Sequence, residues 1–301
     1  MRRISAMATV LAGALALTAC GGDPTKDPAV QEGGDAGGGT VTVGSANFTE
    51  STILAEVYAQ ALEDAGVPVQ KKLEIGSRET YLPALQDGSI DLVPEYTGTL
   101  AAYLDEELTA TEPEEVYASL QKNLPKGVVA LEYSQAANSD NVVVTRETAQ
   151  EHHLEKISDL EPLAGQMTLG GPPEWQKRPQ GVPGLAKTYG LHFQTFRAMN
   201  AGGNVTALAL KYGQLDAANI FTTDPAIPAN DFVVLEDDKG LFSAQNVVPV
   251  VSERAATPKV RKALDAVSAA LTVDDLAAMN AAVLDGDSPE EVADRWVEEE
   301  L

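Results

Sequence analysis

The chain has 301 residues and a formal net charge of −24, enough length for one large domain or two lobes around a substantial core. That acidity argues against nucleic acid as a partner, because phosphate binding needs a basic face. A single cysteine excludes an intramolecular disulfide and a cysteine-based metal site, and His152, His153 and His192 are too few and too poorly spaced for a metal cluster. There is no G-x-x-x-x-G-K-[ST], G-x-S-x-G or H-E-x-x-H, so nothing announces an enzyme, a metal or a cofactor.

Residues 1–19 read as an export signal. Arg2 and Arg3 form a positive start, and Met7–Ala19 is apolar but too short to span a bilayer comfortably. The run ends in Leu17-Thr18-Ala19-Cys20, which resembles the lipobox of bacterial lipoproteins. Such a peptide is cut before the cysteine, whose thiol and new amine are acylated, and several acyl chains anchor where one would not. The alternative is a plain secretory signal with an incidental cysteine. Residues 20–39 are rich in glycine, proline and aspartate, so beyond Cys20 they make a flexible tether. The expected layout is an extracytoplasmic body, lipid-anchored to a bacterial cell membrane.

The body alternates strands and helices. Val41–Val43 is predicted as a strand emptying into Gly44–Glu50, followed by a helix with Ile53, Leu54, Val57, Ala61 and Leu62 on one face, ended by Gly66. Asn47 and Thr49 sit at that joint as polar caps, where helix N–H groups also suit an anionic or carbonyl ligand atom. Lys72–Ile75 is predicted as a strand, Arg78–Gln86 as a helix and Ile90–Val93 as a buried strand stopping at Pro94. Thr97 or Thr99 then caps a new helix, with the chain turning on Gly98. Tyr96 and two hydroxyls therefore stand at the carboxyl end of a strand, where α/β folds hold ligands; a core tyrosine beside an ordinary cap is the plainer reading. The β-α-β-α-β order implies a mainly parallel sheet. After a helix at Glu112–Leu124, Val128–Leu131 and Val142–Thr145 flank the polar run 134–141, which suits a crossing between lobes.

A second α/β series follows, with strands at Met167–Gly170, Thr195–Met199 and Leu215–Phe221 and helices around Pro183–Tyr189 and Asn204–Tyr212. Phe232–Leu235 and Asn246–Val251 supply returning strands. Three closing helices begin at Thr257-Pro258, Thr272 with Asp275, and Ser288-Pro289, and read as packing elements without chemistry.

Four segments, VTVGSANFTES (41–51), DLVPEYTGTL (91–100), GGPPEWQKRPQGVPGLAKTYGL (170–191) and ALALKYGQLDAANIFTTDPAI (207–227), are similar to the substrate-binding proteins of ABC transporters for glycine betaine, choline and related osmoprotectants. The resemblance implies an α/β, two-lobed, type II periplasmic-binding-protein fold with a ligand cleft between lobes, closing by a hinge. It places lobe 1 at 40–137 and 240–301 and lobe 2 at 138–239. A quaternary ammonium is held by aromatic faces, and a carboxylate by a fork of donors, most naturally arginine. Carried over by position, Tyr96 matches a cage tyrosine, Thr99 the hydroxyl and Arg178 the arginine of that pattern, and Phe221 falls where another cage aromatic is expected. Two cage positions depart: one falls near Asn138–Asp140, where Asp140 is a substitute for attracting a cation, and the other at Ala207. A basic residue of the first joint is replaced by Ala46. An Arg178–Glu174 ion pair and core packing of Phe221 remain open alternatives.

The implied function is non-enzymatic capture of a small quaternary-ammonium solute and delivery to a cognate permease, by a monomer with no cofactor. The alternatives are the same fold holding an unrelated ligand, or serving as an extracytoplasmic enzyme or sensor module.

Overall fold

The computed structural model describes residues 39–301 apart from Gly202. The export signal, Cys20 and the tether up to residue 38 lie outside the described residues.

The chain opens with β1 (Val41–Gly44), which pairs in parallel with β2 (Val69–Lys72) on one side and β3 (Leu92–Tyr96) on the other. After β4 (Val128–Ala130) it crosses to a second sheet, built from β5 (Val142–Val144), β6 (Thr168–Gly171), β7 (Thr195–Ala198), β8 (Ala217–Asn219) and β9 (Val233–Val234). It then returns as β10 (Val247–Ser252). The two sheet orders are β2-β1-β3-β10-β4 and β7-β6-β8-β5-β9. Both follow one plan: four strands run the same way, and the strand that has just crossed over, β10 or β5, runs against its two neighbours. The fold is the two-lobed α/β architecture expected, each sheet flanked by helices.

Hydrophobic burial explains these elements. In the helix Thr49–Asp64, Ile53, Leu54, Val57 and Leu62 are fully buried in a core with Val292 and Trp296 of the closing helix Pro289–Glu300, each such side chain contributing roughly 1.5–3 kcal/mol. β5 is buried along its whole length, as a strand covered on both faces must be. The three closing helices have the predicted starts. Thr257, Thr272 and Ser288 each accept a hydrogen bond from the backbone N–H three residues on, and the last two form full capping boxes.

Several local expectations are corrected. The second strand is Val69–Lys72, not Lys72–Ile75, because its pairing is set by the register of Val41–Gly44 opposite it. The third strand does not stop at Pro94 but runs on to Tyr96. Pro94 lies directly across from Pro249, whose carbonyl accepts from Leu131 N–H on its other side, so the two prolines share a position that asks no N–H donor of either. The helix after it starts at Thr97, making Tyr96 the cap residue, with no side-chain cap. Phe48 likewise caps the helix Thr49–Asp64 in place of a polar residue; there Ser51 Oγ accepts from Ala46 N–H at 2.9 Å instead.

Candidate functional site

Parallel strands present their carboxyl ends on one side, so the joints that follow them converge. From the first sheet come the joint after β1 (Asn47, Phe48), the start of the helix Arg78–Asp87 (Ser77, Arg78) and the joint after β3 (Tyr96, Thr99). From the second come the segment after β6 (Glu174, Trp175, Arg178) and Phe221 after β8. Together with Asn138, Asp140 and Gln245 they line a hollow of about 650 Å³ counted out to open solvent. Of the residues singled out from the sequence, Asn47, Tyr96, Thr99, Asp140, Arg178 and Phe221 line this one space. Thr49 lies outside it, exposed, on the wall of a neighbouring hollow.

Two glycines make the walls possible by close approach. A Cβ on Gly98 would stand 2.5 Å from both the Ala244 carbonyl and Ser243 Oγ, so Gly98 serves to press the Tyr96–Thr99 segment against residues 243–245; it sits inside the helix Thr97–Leu104 and makes no turn. At Gly181 a Cβ would come 1.9 Å from the Trp175 carbonyl, which closes the loop carrying Trp175 and Arg178.

The aromatic lining is a chain of rings. Phe48 lies 6.2 Å from Tyr96 and 5.5 Å from Phe221 between centroids, so rings from both sheets share one face of the space. Phe48 and Phe221 also line the second hollow, with Thr49, Glu50, Thr223, Asp224 and Asn280 among its walls. Ala207, where the resemblance placed a missing cage aromatic, is buried in the core beneath the second sheet and lines neither hollow.

Below the rings lies the carboxylate of Glu50, buried and fully engaged. Oε1 accepts from Tyr96 Oη and Asn138 Nδ2, both at 2.6 Å, and Oε2 from Thr223 Oγ1 and Asn280 Nδ2, both at 2.5 Å. Charge-assisted bonds of this kind are about twice as strong as neutral ones. Burial first, and then the Glu50 charge, push the Tyr96 hydroxyl well above its ordinary pKa, which keeps it a neutral donor. Asn280 belongs to the helix Val273–Asp285, so that closing helix contributes directly to the site, contrary to its expected role in packing alone.

Arg78 forms a second buried cluster. Its Nε and Nη2 donate to the two oxygens of Glu95, each at 2.7 Å, and Nη2 also donates to Thr99 Oγ1 at 2.9 Å. Tyr81 Oη donates to the same Glu95 at 2.7 Å. Burial works against the guanidinium charge, yet Glu95 outweighs it and raises the Arg78 pKa further. Arg178 is engaged differently: its Nε and Nη2 donate to Glu79 at 3.3 and 3.2 Å, and Glu174 stands at 3.9 Å. The expected i,i+4 partner is thus the more distant one, and the closer carboxylate comes from the first sheet. Asp140, buried, accepts from Asn219 Nδ2 at 2.8 Å; burial raises its pKa, with that hydrogen bond opposing.

Phe48, Arg78, Trp175 and Glu50 were missed as site residues, although Phe48, Glu50 and Trp175 lie inside the quoted segments. The signal for Arg78 was its place at the start of the helix following the second strand, a third joint of the kind already flagged twice.

Comparison with known proteins agrees with this architecture. Residues 39–299 match the family model described as the substrate binding domain of ABC-type glycine betaine transport system (OpuAC). The chain belongs to that family. It is 30% identical over 278 residues to a glycine-betaine-binding protein of Pseudomonas aeruginosa, covering 86% of this chain and 88% of the relative. It is 26% identical over 257 residues to the glycine betaine-binding protein YehZ of Escherichia coli (strain K12), covering 81% and 84%. Among solved structures, one described as a glycine betaine/carnitine/choline ABC transporter superposes with a TM-score of 0.68 at 25% identity, covering 86% of this chain and 98% of that one. Lactococcal OpuAC, closed on glycine betaine, shares the fold with a TM-score of 0.62 at 16% identity, over 87% of this chain and 96% of its own.

Proposed function

We propose that the protein is an extracytoplasmic receptor of an ABC importer that captures a compact quaternary-ammonium osmoprotectant, such as glycine betaine, choline or a relative, and hands it to its permease. The observation that carries this reading is the row of three rings, Phe48, Tyr96 and Phe221, drawn from both sheets and lining one hollow with Arg178 and Thr99. A cation that cannot donate hydrogen bonds is attracted to such faces by roughly 0.5–2 kcal/mol per ring. Asn47 supplies a polar wall, Asp140 a charge of the opposite sign, and Arg178 with Thr99 the donors for an acidic tail. Thr49 stands beyond the rings and has no part in holding the solute.

The remaining parts follow the same reading. Lobe 1 is residues 40–137 and 240–301 and lobe 2 residues 138–239, working as a monomer that closes on its ligand. Cys20, lipidated after removal of residues 1–19, fixes the tethered body to the cell membrane beside the permease, and the protein turns nothing over. Thermal-shift screening with betaine, choline and carnitine is the test. A ligand at 100 times its dissociation constant adds about 2.7 kcal/mol of stability, and the absence of any shift with the whole set overturns the assignment.

A further inference from the structure

We propose that Arg78, together with Trp175, anchors a ligand carboxylate in this cleft, so that the site selects zwitterionic betaines over quaternary-ammonium cations lacking an acid. This deepens the osmolyte reading and rests on it. It adds two donors to Arg178 and Thr99, the pair proposed above for the acidic tail.

Two buried donors on residues lining the hollow make no hydrogen bond among the described residues. In Arg78 the Nε hydrogen and both Nη2 hydrogens are committed to Glu95 and Thr99, whereas Nη1 is closed off from water with no hydrogen-bond partner among the described residues. The same holds for Trp175 Nε1. The two residues are only 5% and 2% exposed, and both line the hollow that the three rings line. Buried donors nearly always have acceptors, and an orphan in a native site calls for an explanation. Here there are two, one on a charged group, and each belongs to a residue that lines the same hollow. A carboxylate, with two oxygens and about four lone-pair sites, is an acceptor that satisfies both. Thr99 strengthens the arrangement: its oxygen already accepts from Arg78, leaving its hydroxyl hydrogen to donate to the same ligand group.

Charge decides the selectivity. Glu95 already balances Arg78, and a zwitterion brings a balanced pair of its own, so its binding leaves the net charge of the cleft unchanged. A choline-like cation offers no anionic acceptor and leaves the Arg78 donor unmet.

The experiment is isothermal titration of the mature protein with glycine betaine and with choline, which share a trimethylammonium head and differ in carboxylate against hydroxyl. The wild type is expected to bind betaine more tightly. Arg78→Lys, which keeps a cation opposite Glu95 but removes the fork, and Trp175→Phe, which touches no ion pair, should each lose about tenfold or more in betaine affinity, the scale of one charge-assisted hydrogen bond. Choline affinity should stay within about twofold in both, which also reports that the cleft has folded. The proposal is overturned if both variants keep betaine affinity, or if betaine and choline are lost together in both. A wild type that binds neither compound removes the osmolyte reading itself, an outcome distinct from these.

Discussion

Phe48 and Phe221 meet at 5.5 Å with their planes inclined by 43°, one carried by the joint after β1 and the other by the segment after β8. Each belongs to a different sheet, so any rotation that parts the sheets also parts this pair. The rings stand between the two hollows and line both. An aromatic wall made in two halves is complete only when the sheets are together, which suits a trap that closes around its solute.

Removing either half should therefore weaken the cation seat without disturbing the donors. Phe48→Ala and Phe221→Ala are each expected to lower affinity for a trimethylammonium ligand by ~2- to 30-fold, from about 0.5–2 kcal/mol per ring. Titration calorimetry with betaine measures it, and unchanged affinity in both variants would remove these rings from the site.

Glu50 ties segments from both sheets and one closing helix, Val273–Asp285, to one carboxylate. In Glu50→Gln the amide turns a hydrogen-bond donor toward groups that are themselves donors, leaving at least one of them unmet. The expected loss is about 2–4 kcal/mol, read as a lower urea midpoint, with Asn280→Ala showing a smaller shift in the same direction. A midpoint within error of the wild type would show that this cluster does not stabilise the fold.

The Glu79–Arg178 pair joins the two sheets at 3.2 Å. Burial opposes the Glu79 charge, but hydrogen bonds from Arg178 and Ser77 outweigh it and hold the carboxyl down at about 2, below its ordinary 4.5. A depressed carboxyl contributes stability that is fully present above pH 4.5 and is lost as pH falls toward 2. Because the side chain is 42% exposed, solvent screening keeps the contribution under about 1 kcal/mol. Melting curves of the wild type and Glu79→Gln between pH 2 and 6 should differ above pH 4.5 and converge near 2; parallel curves across the range would contradict the pairing.

Gly98 offers a steric test. In Gly98→Ala the new methyl would meet the Ala244 carbonyl at 2.5 Å, and backbone cannot swing aside as a side chain can. A loss on the order of 1–3 kcal/mol is expected in thermal melts, together with weaker ligand binding as Tyr96 and Thr99 shift. A variant as stable as the wild type would show that residues 243–245 yield freely.

Much of this was legible in the residues. The alternation of short apolar runs with capped amphipathic stretches is local chemistry, so strands such as Val142–Val144 and the capped starts at Thr257, Thr272 and Ser288 could be read directly. Tyr96 and Thr99 were singled out because strand-to-helix joints are where α/β folds hold ligands, and Arg178 and Phe221 because they fall in segments resembling the family; the fold brings all four to the lining of one hollow. Less legible was whatever depends on a distant partner. Pro94 read as a strand end because a proline removes a donor, and only Pro249 opposite makes that harmless. The helix carrying Asn280 read as a packing element because nothing near it in sequence reveals Glu50, 230 positions from Asn280.

The amino-acid order by itself determined the elements, their plan and the chemical types gathered at the joints, since these follow from periodicity, caps and residue class over a few neighbours. Tertiary structure alone decided which partners meet: that Arg178 faces Glu79, that one nitrogen of Arg78 has no partner among the described residues, and that a phenylalanine from each sheet completes one wall. Pairings across about a hundred residues or more depend on how two sheets settle against each other, and no local pattern records that.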